Sequence, residues 1–341
     1  MPEGAVEPCG AGAPDDDVRL ADPLPLYLRR GTEVRAVPLV ARPAGADIAG
    51  VSAYSLARSA ENRRPVRGAR VLPAVTRPRE VAAWADARWL SLRERLEALQ
   101  LCRPDALGSH ATAAELLGIP LPSRLQRQGS HLHVQVPLAR PLRREGIRAH
   151  RSARVPTTQQ AFGVTLVSWW ETLVGLASML DEDELVEAME GLLGPWRTPP
   201  VDATEIGERI EAAGRIRGIR TLRAAMVRAR PGVQSPQETR LRLSLVRAGL
   251  PEPAVNKAIW VPELGCEIAP DLVYERERVA LEYEGEHHRL DPVQFTRDAE
   301  RWNALQACGW TVEKVTARTD RVRLIARVRQ KLRLPRPGPV E

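Results

Sequence analysis

Cys266-Glu-Ile-Ala-Pro-Asp-Leu-Val-Tyr274, Glu275-Arg-Glu-Arg278 and Val279-Ala-Leu-Glu-Tyr-Glu284 follow one another without a break, and their reading decides the last third of this chain. Two β-prone runs separated by four polar residues form a hairpin signal. With the turn centred between Arg276 and Glu277, Asp271 lies opposite Glu282, Leu272 opposite Leu281 and Tyr274 opposite Val279. Side chains alternate across a strand. Leu272, Tyr274, Val279, Leu281 and Tyr283 therefore share an apolar face, and Asp271, Glu282 and Glu284 share the other. Like charges directly opposite one another destabilise a sheet, so the three carboxylates need compensation. Arginines of an ordinary surface network would supply it. So would a divalent cation, because magnesium and manganese take hard oxygen ligands.

Upstream, Ser235-Pro236-Gln237-Glu238 opens a helix, with Ser as N-cap, Pro in the first turn and Glu three residues after the cap. It runs to Gly249, and Glu238 is in line with Leu241, Leu245 and Ala248 on the face that leans inward. Glu238 is then either a capping-box residue or a supporting acid of the hairpin site. Downstream, Asp291-Pro292 starts another helix with Phe295, Ala299, Trp302 and Leu305 as its apolar stripe; Gly309 ends it, and Trp310-Thr-Val-Glu-Lys-Val315 alternates like a strand. The order helix, strand, hairpin strand, helix, strand is a compact α/β unit.

Ser235-Pro-Gln-Glu238 with Arg240 and Leu241, Gly249-Leu250, Pro270-Asp271-Leu272, Glu282-Tyr-Glu-Gly285 ending in His288, Arg297-Asp298 with Arg301 and Leu305, and Gly309-Trp310 form an ordered series. In it the chain resembles the Vsr/MutH-like endonuclease domains, and still more their bacterial relatives of the restriction-endonuclease fold, the PD-(D/E)xK superfamily. The resemblance covers residues 235–320 and implies a domain over 231–334. It implies a DNA phosphodiesterase using magnesium or manganese, with Asp271 as principal metal ligand, Glu282 or Glu284 beside it, and His288 near the scissile phosphate. Glu238 joins that set as a supporting acid, and Arg297 and Arg301 as DNA contacts. The superfamily usually places a lysine two residues after the second acid, where this chain has Glu284. Either Glu284 is a further metal ligand and histidine carries the proton traffic, or the site is degenerate. His287 and His288 point to opposite faces if extended, so one of them joins the carboxylates.

At 341 residues the chain is long enough for two or three domains with proper cores. The formal net charge is +7, which suits a polyanionic partner. The positive charge is almost all arginine, the lysines being Lys257, Lys314 and Lys331. A basic helix from Arg321 to Arg333 offers Arg323 and Arg327 as phosphate contacts, or else a solvated face. Cys9, Cys102, Cys266 and Cys308 stand far apart and form neither a metal-type pair nor a disulfide scaffold. Without an apolar run long enough to span a bilayer and without a signal-peptide pattern, the expected location is cytoplasmic, with no membrane contact.

Residues 1–22 read as a disordered tail and 335–341 as a second one. Residues 23–103 read as a winged-helix-like region, in which Ile48–Ala57 suggests a short helix and Arg63-Arg64-Pro65-Val66-Arg67-Gly-Ala-Arg-Val-Leu72 a basic wing. In that run the region resembles the opening segment of AbiEi-type antitoxin proteins, which implies DNA contacts for Arg63, Arg64 and Arg67. Residues 104–230 read as an antitoxin-like α+β middle domain. It contains strands at His131–Pro137 and Gly146–Arg151, a helical block over 164–194, and a basic helical stretch over 206–230 broken at Gly214 and Gly218. His131 and His133 share a strand face with His150 on a neighbouring strand, but a fourth zinc ligand is lacking.

Three functions fit these readings. One is a divalent-metal-dependent DNA endonuclease of repair or defence. Another is a catalytically inactive DNA-binding regulator or antitoxin-like protein, with a toxin or repair partner. The third is a protein-interaction module, against which the basic balance argues. The oligomeric state is not legible.

Overall fold

A computed structural model describes residues 31–42, 63–126, 131–195, 200–284 and 292–334, with residues 292–298 described in their backbone only. The expected tails, the expected helix at 48–57, His287 and His288 lie outside the described residues, as does the side chain of Arg297. The chain is a mixed α/β protein that divides into two units, meeting in sequence between Ala229 and Arg230.

In the first unit, β1 (Thr32–Ala41) and β2 (Arg70–Ala82) form a long antiparallel ribbon. The expected wing is the turn that enters β2. α1 (Ala87–Cys102) follows, capped by Asp86 through the Trp89 N–H. β3 (Leu107–Gly108) and α2 (His110–Leu116) lead to β4 (Leu132–Pro137), β5 (Ile147–Ser152), β6 (Thr158–Ala161) and β7 (Val164–Val167), which with β3 make a five-stranded sheet in the order β5-β4-β3-β7-β6. One apolar core joins Val71 and Val81 of the ribbon, Leu96 and Leu99 of α1, and Val134 and Leu166 of the sheet. It crosses the expected junction at 103/104.

The helical block follows: α3 (Trp169–Leu176), α4 (Glu182–Leu193), α5 (Ala203–Ala212) and α6 (Ile219–Arg228). A full capping box between Asp181 and Glu184 starts α4. Gly218, at φ +84°, sits so close to Ala177 that a Cβ would collide with backbone, which explains a glycine there. Trp170 is core, whereas Trp169 is half-buried and carries the Arg209 guanidinium over its ring.

The second unit begins with α7 (Pro236–Arg247). Then come β8 (Ala254–Val255), β9 (Ile259–Val261), β10 (Cys266–Ile268), β11 (Leu272–Tyr274), β12 (Val279–Tyr283), α8 (Pro292–Ala307), β13 (Thr311–Val315) and α9 (Arg321–Lys331). β13-β12-β11-β8 is one sheet, and β9 pairs with β10 apart from it. β11 and β12 are antiparallel with Leu272 opposite Leu281 and Tyr274 opposite Val279, while β12 and β13 run parallel. The turn closes over 275–278, where Arg278 takes φ +52° and its N–H reaches the Glu275 carbonyl.

The two sheet faces are both covered. Leu272, Tyr274, Val279 and Leu281 pack with Leu241 and Leu245 of α7 and Leu324 and Val328 of α9. Ala280, on the opposite face, packs with Trp302 and Leu305 of α8. Asp271 and Glu282 stand one step beyond the Leu272–Leu281 pair of this packed hairpin.

Candidate active site at the carboxylate end of the hairpin

The register of β11 and β12 places Asp271 against Glu282, one step beyond the Leu272–Leu281 pair. Two hydrogen bonds lock them: the Asp271 N–H donates to Glu282 Oε2 at 3.2 Å, and the Tyr283 N–H donates to Asp271 Oδ2 at 2.6 Å. Each carboxylate thus binds a backbone N–H of the other strand or its end. Their negative charges remain side by side.

α7 delivers the third acid. Ser235 caps the helix by accepting from the Glu238 N–H, and Glu238 Oε2 returns to the Gln234 N–H at 2.9 Å. Glu238 is 5 % exposed. Asn256 ties it to the hairpin, its Nδ2 donating to Glu238 Oε2 at 3.3 Å while its own N–H donates to the Asp271 carbonyl at 3.0 Å. Asn256 stands at φ +45°, a left-handed conformation that Asn tolerates better than most side chains. The capping carboxylate is thereby also hydrogen-bonded to the residue whose N–H holds the Asp271 carbonyl.

Electrostatics mark the cluster. Burial, then the charges of Glu282 and Glu238, push the Asp271 carboxyl well above its usual range, against the opposing pull of the Tyr283 N–H. Burial likewise raises Glu238, although Gln234, Ser235 and Asn256 all donate to its charged form. The donor set is oxygen only and made of carboxylates, which fits a hard divalent cation. Among the described residues no three acidic, histidine or cysteine side chains converge as a ready-made cage. Asp271 and Glu282 are the pair that could hold such an ion, with water filling the rest of its shell.

Glu284 behaves differently from the other acids. Its Oε1 lies 2.7 Å from Nζ of Lys314, and its N–H donates to the Val315 carbonyl. Lys314 is the register partner of Glu282 across the parallel β12–β13 pair, so an ammonium stands on the carboxylate face. Lys314 and Asn256 are the residues that sequence reasoning missed. The alternation of Trp310–Val315 places Lys314 on one face of a strand, but only the parallel register says whose neighbour it is.

The expected DNA contacts fare unevenly. Arg323 is exposed, near Asp320 at 3.5 Å. Arg327 is joined to Glu313 at 3.0 Å, with Lys331 on the same carboxylate at 2.8 Å. Burial alone would raise Glu313, but hydrogen bonds and charge from Arg327 and Lys331 hold it below its ordinary value. Glu313 faces away from Lys314, so this is a clamp between β13 and α9. Arg301 lies over the Trp302 ring. In the first unit, Arg63 pairs with Glu94 at 2.7 Å, and Arg64 and Arg67 are exposed on the turn before β2.

No family model matches the chain, and no solved structure does. Among curated proteins it is similar to an uncharacterized protein of Mycobacterium tuberculosis, found in strains H37Rv and CDC 1551 / Oshkosh, at 27% identity over 236 residues. The match covers 66% of this chain and 83% of that protein. It links the chain to a relative over most of the relative's length and assigns no activity. No described helix is long and apolar enough to cross a membrane.

Proposed function

We propose that residues 231–334 form a restriction-endonuclease-like domain that hydrolyses phosphodiester bonds in DNA with magnesium or manganese. The observation that carries this reading is the Asp271–Glu282 pair, set opposite one another by register and joined by backbone hydrogen bonds, with the Asp271 carboxyl raised by burial and by its acidic neighbours. Enzymes gather perturbed carboxylates where a charge is to be bound or a proton moved.

In the reaction the oxygen of water bonds to phosphorus and the bond from phosphorus to a deoxyribose oxygen breaks. One proton leaves the water, and the departing oxygen takes one up. A divalent cation, when bound, supplies positive charge at the phosphoryl oxygen and acidifies water. Asp271 and Glu282 would hold it, and Glu238 orients the Asp271 end of the hairpin through Asn256. Lys314 adds a positive charge beside Glu282 that can offset charge building on the phosphate. Glu284 holds that ammonium in place, which assigns it a positioning role beside Lys314. His288 remains the candidate proton carrier.

The test is cleavage of mixed DNA substrates with magnesium or manganese by the wild type and by Asp271→Ala. Metal-dependent nicking that the variant lacks is the expected result; equal nicking by both would sink the assignment. The Glu284–Lys314 ion pair favours a second reading, in which the face is electrostatically closed and the protein is a DNA-binding regulator acting with a toxin or repair partner. Wild type and variant that both bind DNA, with the same salt dependence and without cutting, would select it.

A further inference from the structure

The first unit contains a cleft of about 760 Å³ that brings together arginines from three segments far apart in sequence. Arg42 follows the end of β1, Arg64 and Arg67 lie on the turn before β2, and Arg143 and Arg144 lie on the loop before β5. Among the described residues that line it, the one carboxylate is that of Glu145. Five guanidiniums against one carboxylate is a large local excess in a chain whose formal net charge is +7.

The walls are fixed by packing. Val66 anchors the turn between Arg64 and Arg67, and Leu142 anchors the loop beside Arg143, both in the common core. Gly68, at φ +96°, lets the turn pass close to α1, where a Cβ would meet Cys102 Sγ at 3.1 Å. Arg144 Nη1 donates to the Arg67 carbonyl at 3.3 Å and so ties the two walls together. Burial, then the nearby charge of Arg64, lowers the pKa of Arg70 behind the turn.

We propose that this cleft binds the sugar–phosphate backbone of a nucleic acid. Guanidinium forks match phosphate oxygens. Arg42, Arg64, Arg67 and Arg143 are exposed, and exposed charges bind a single small anion weakly under salt. A polymer that engages several of them at once sums the contacts and releases counterions. Among the described lining residues the polar groups are chiefly guanidiniums, whose partners on a nucleic acid are phosphate oxygens. This inference does not depend on hydrolysis at the hairpin, and it stands if that site is inert.

The test uses the full chain in EDTA, with fluorescence anisotropy of labelled duplex and single-stranded oligonucleotides across a salt series. Arg67→Glu with Arg143→Glu is compared with a charge-matched control, Arg215→Glu with Arg217→Glu, on an exposed loop elsewhere in the unit. Melting curves verify that both fold. The cleft variant is expected to lose about tenfold or more in affinity, and about 1.8 in the slope of log affinity against log salt for duplex. The control should stay near wild type. Equal losses in both variants, or none in either, would overturn the proposal. So would tripolyphosphate stabilising the wild type but not the cleft variant while oligonucleotides bind both alike, because the cleft would then serve small phosphorylated ligands.

Discussion

The hairpin end of the second unit and a histidine stack inside the first gather titratable groups in opposite ways. In the first unit His110 of α2, His133 of β4 and His150 of β5 meet. The His110 and His150 rings stack at 3.5 Å, and His133 Nδ1 lies 3.0 Å from His150 Nε2. Burial first, then neighbouring positive charge, lowers His110 to about 3 and His133 and His150 to about 4. Imidazole answers crowding by shedding its proton and packing as an aromatic ring, so near neutral pH the stack has no charge left to satisfy. Carboxylates have no such exit at neutral pH short of binding a proton or a cation. Asp271 and Glu238 are both raised, first by burial and at Asp271 also by the charges of Glu282 and Glu238. Residual electrostatic demand, rather than the mere gathering of titratable groups, separates a candidate site from a packed core.

The largest effect that could break this contrast is at Asp271. Asp271→Asn keeps an acceptor for the Tyr283 N–H and removes the charge. Cleavage is expected to fall on the order of a thousandfold or more. The melting temperature should rise, because a carboxyl whose folded pKa is raised costs stability as pH climbs above its unfolded value. Saturating magnesium or manganese, about 2.7 kcal/mol at a hundred times Kd, should stabilise the wild type and not the variant. A variant that melts earlier would mean that Asp271 is structural.

Lys314→Met sharpens the same side of the comparison. Cleavage should drop roughly a hundredfold with folding intact, while Lys314→Arg restores part of it. Full activity in Lys314→Met, measured in the same nicking assay, would remove the ammonium from the mechanism.

For the histidine stack the sign reverses. Histidines with depressed folded pKa values stabilise the fold above the unfolded value near 6.5, and that stability is lost as pH falls toward 4 and 3. His110→Phe keeps a ring against His150 and removes one titrating group. Its melting temperature should fall less steeply than the wild type's between about pH 6 and 4. Parallel curves would show that the stack does not govern acid sensitivity. Glu115, raised to about 7 by burial, titrates in the opposite sense in both proteins and cancels in the difference.

The smallest expected effects lie in α9. Arg327→Ala breaks the clamp on Glu313 and should cost about 1 kcal/mol in denaturant unfolding, while exposed Arg323→Ala should cost under about 0.5. A loss of DNA affinity in Arg323→Ala with unchanged stability would support that residue as a phosphate contact.

Much of the hairpin unit was legible in its residues because its decisive interactions are local. A four-residue turn sets the pairing of the two strands beside it, and period-two alternation then assigns every side chain to a face. Leu272 against Leu281 follows from counting. Ser235 and Glu238 announce their helix start in the same way. The first unit was less legible, since the β1–β2 ribbon pairs Thr32 with Ala82, and no short window contains both.

By itself, then, the sequence determined the hairpin, its register, its apolar and acidic faces, the capped helix that carries Glu238, and a basic balance held almost wholly by arginine. Only the tertiary structure decided that Lys314 stands beside Glu282, that Asn256 ties Glu238 to the hairpin, that His110 completes the stack, and that Arg143 and Arg144 face the turn of Arg64 and Arg67. The physical reason is range. Turn geometry and side-chain alternation act over a few residues, whereas a parallel strand pair or a packed loop joins residues whose separation in sequence carries no signal of their meeting.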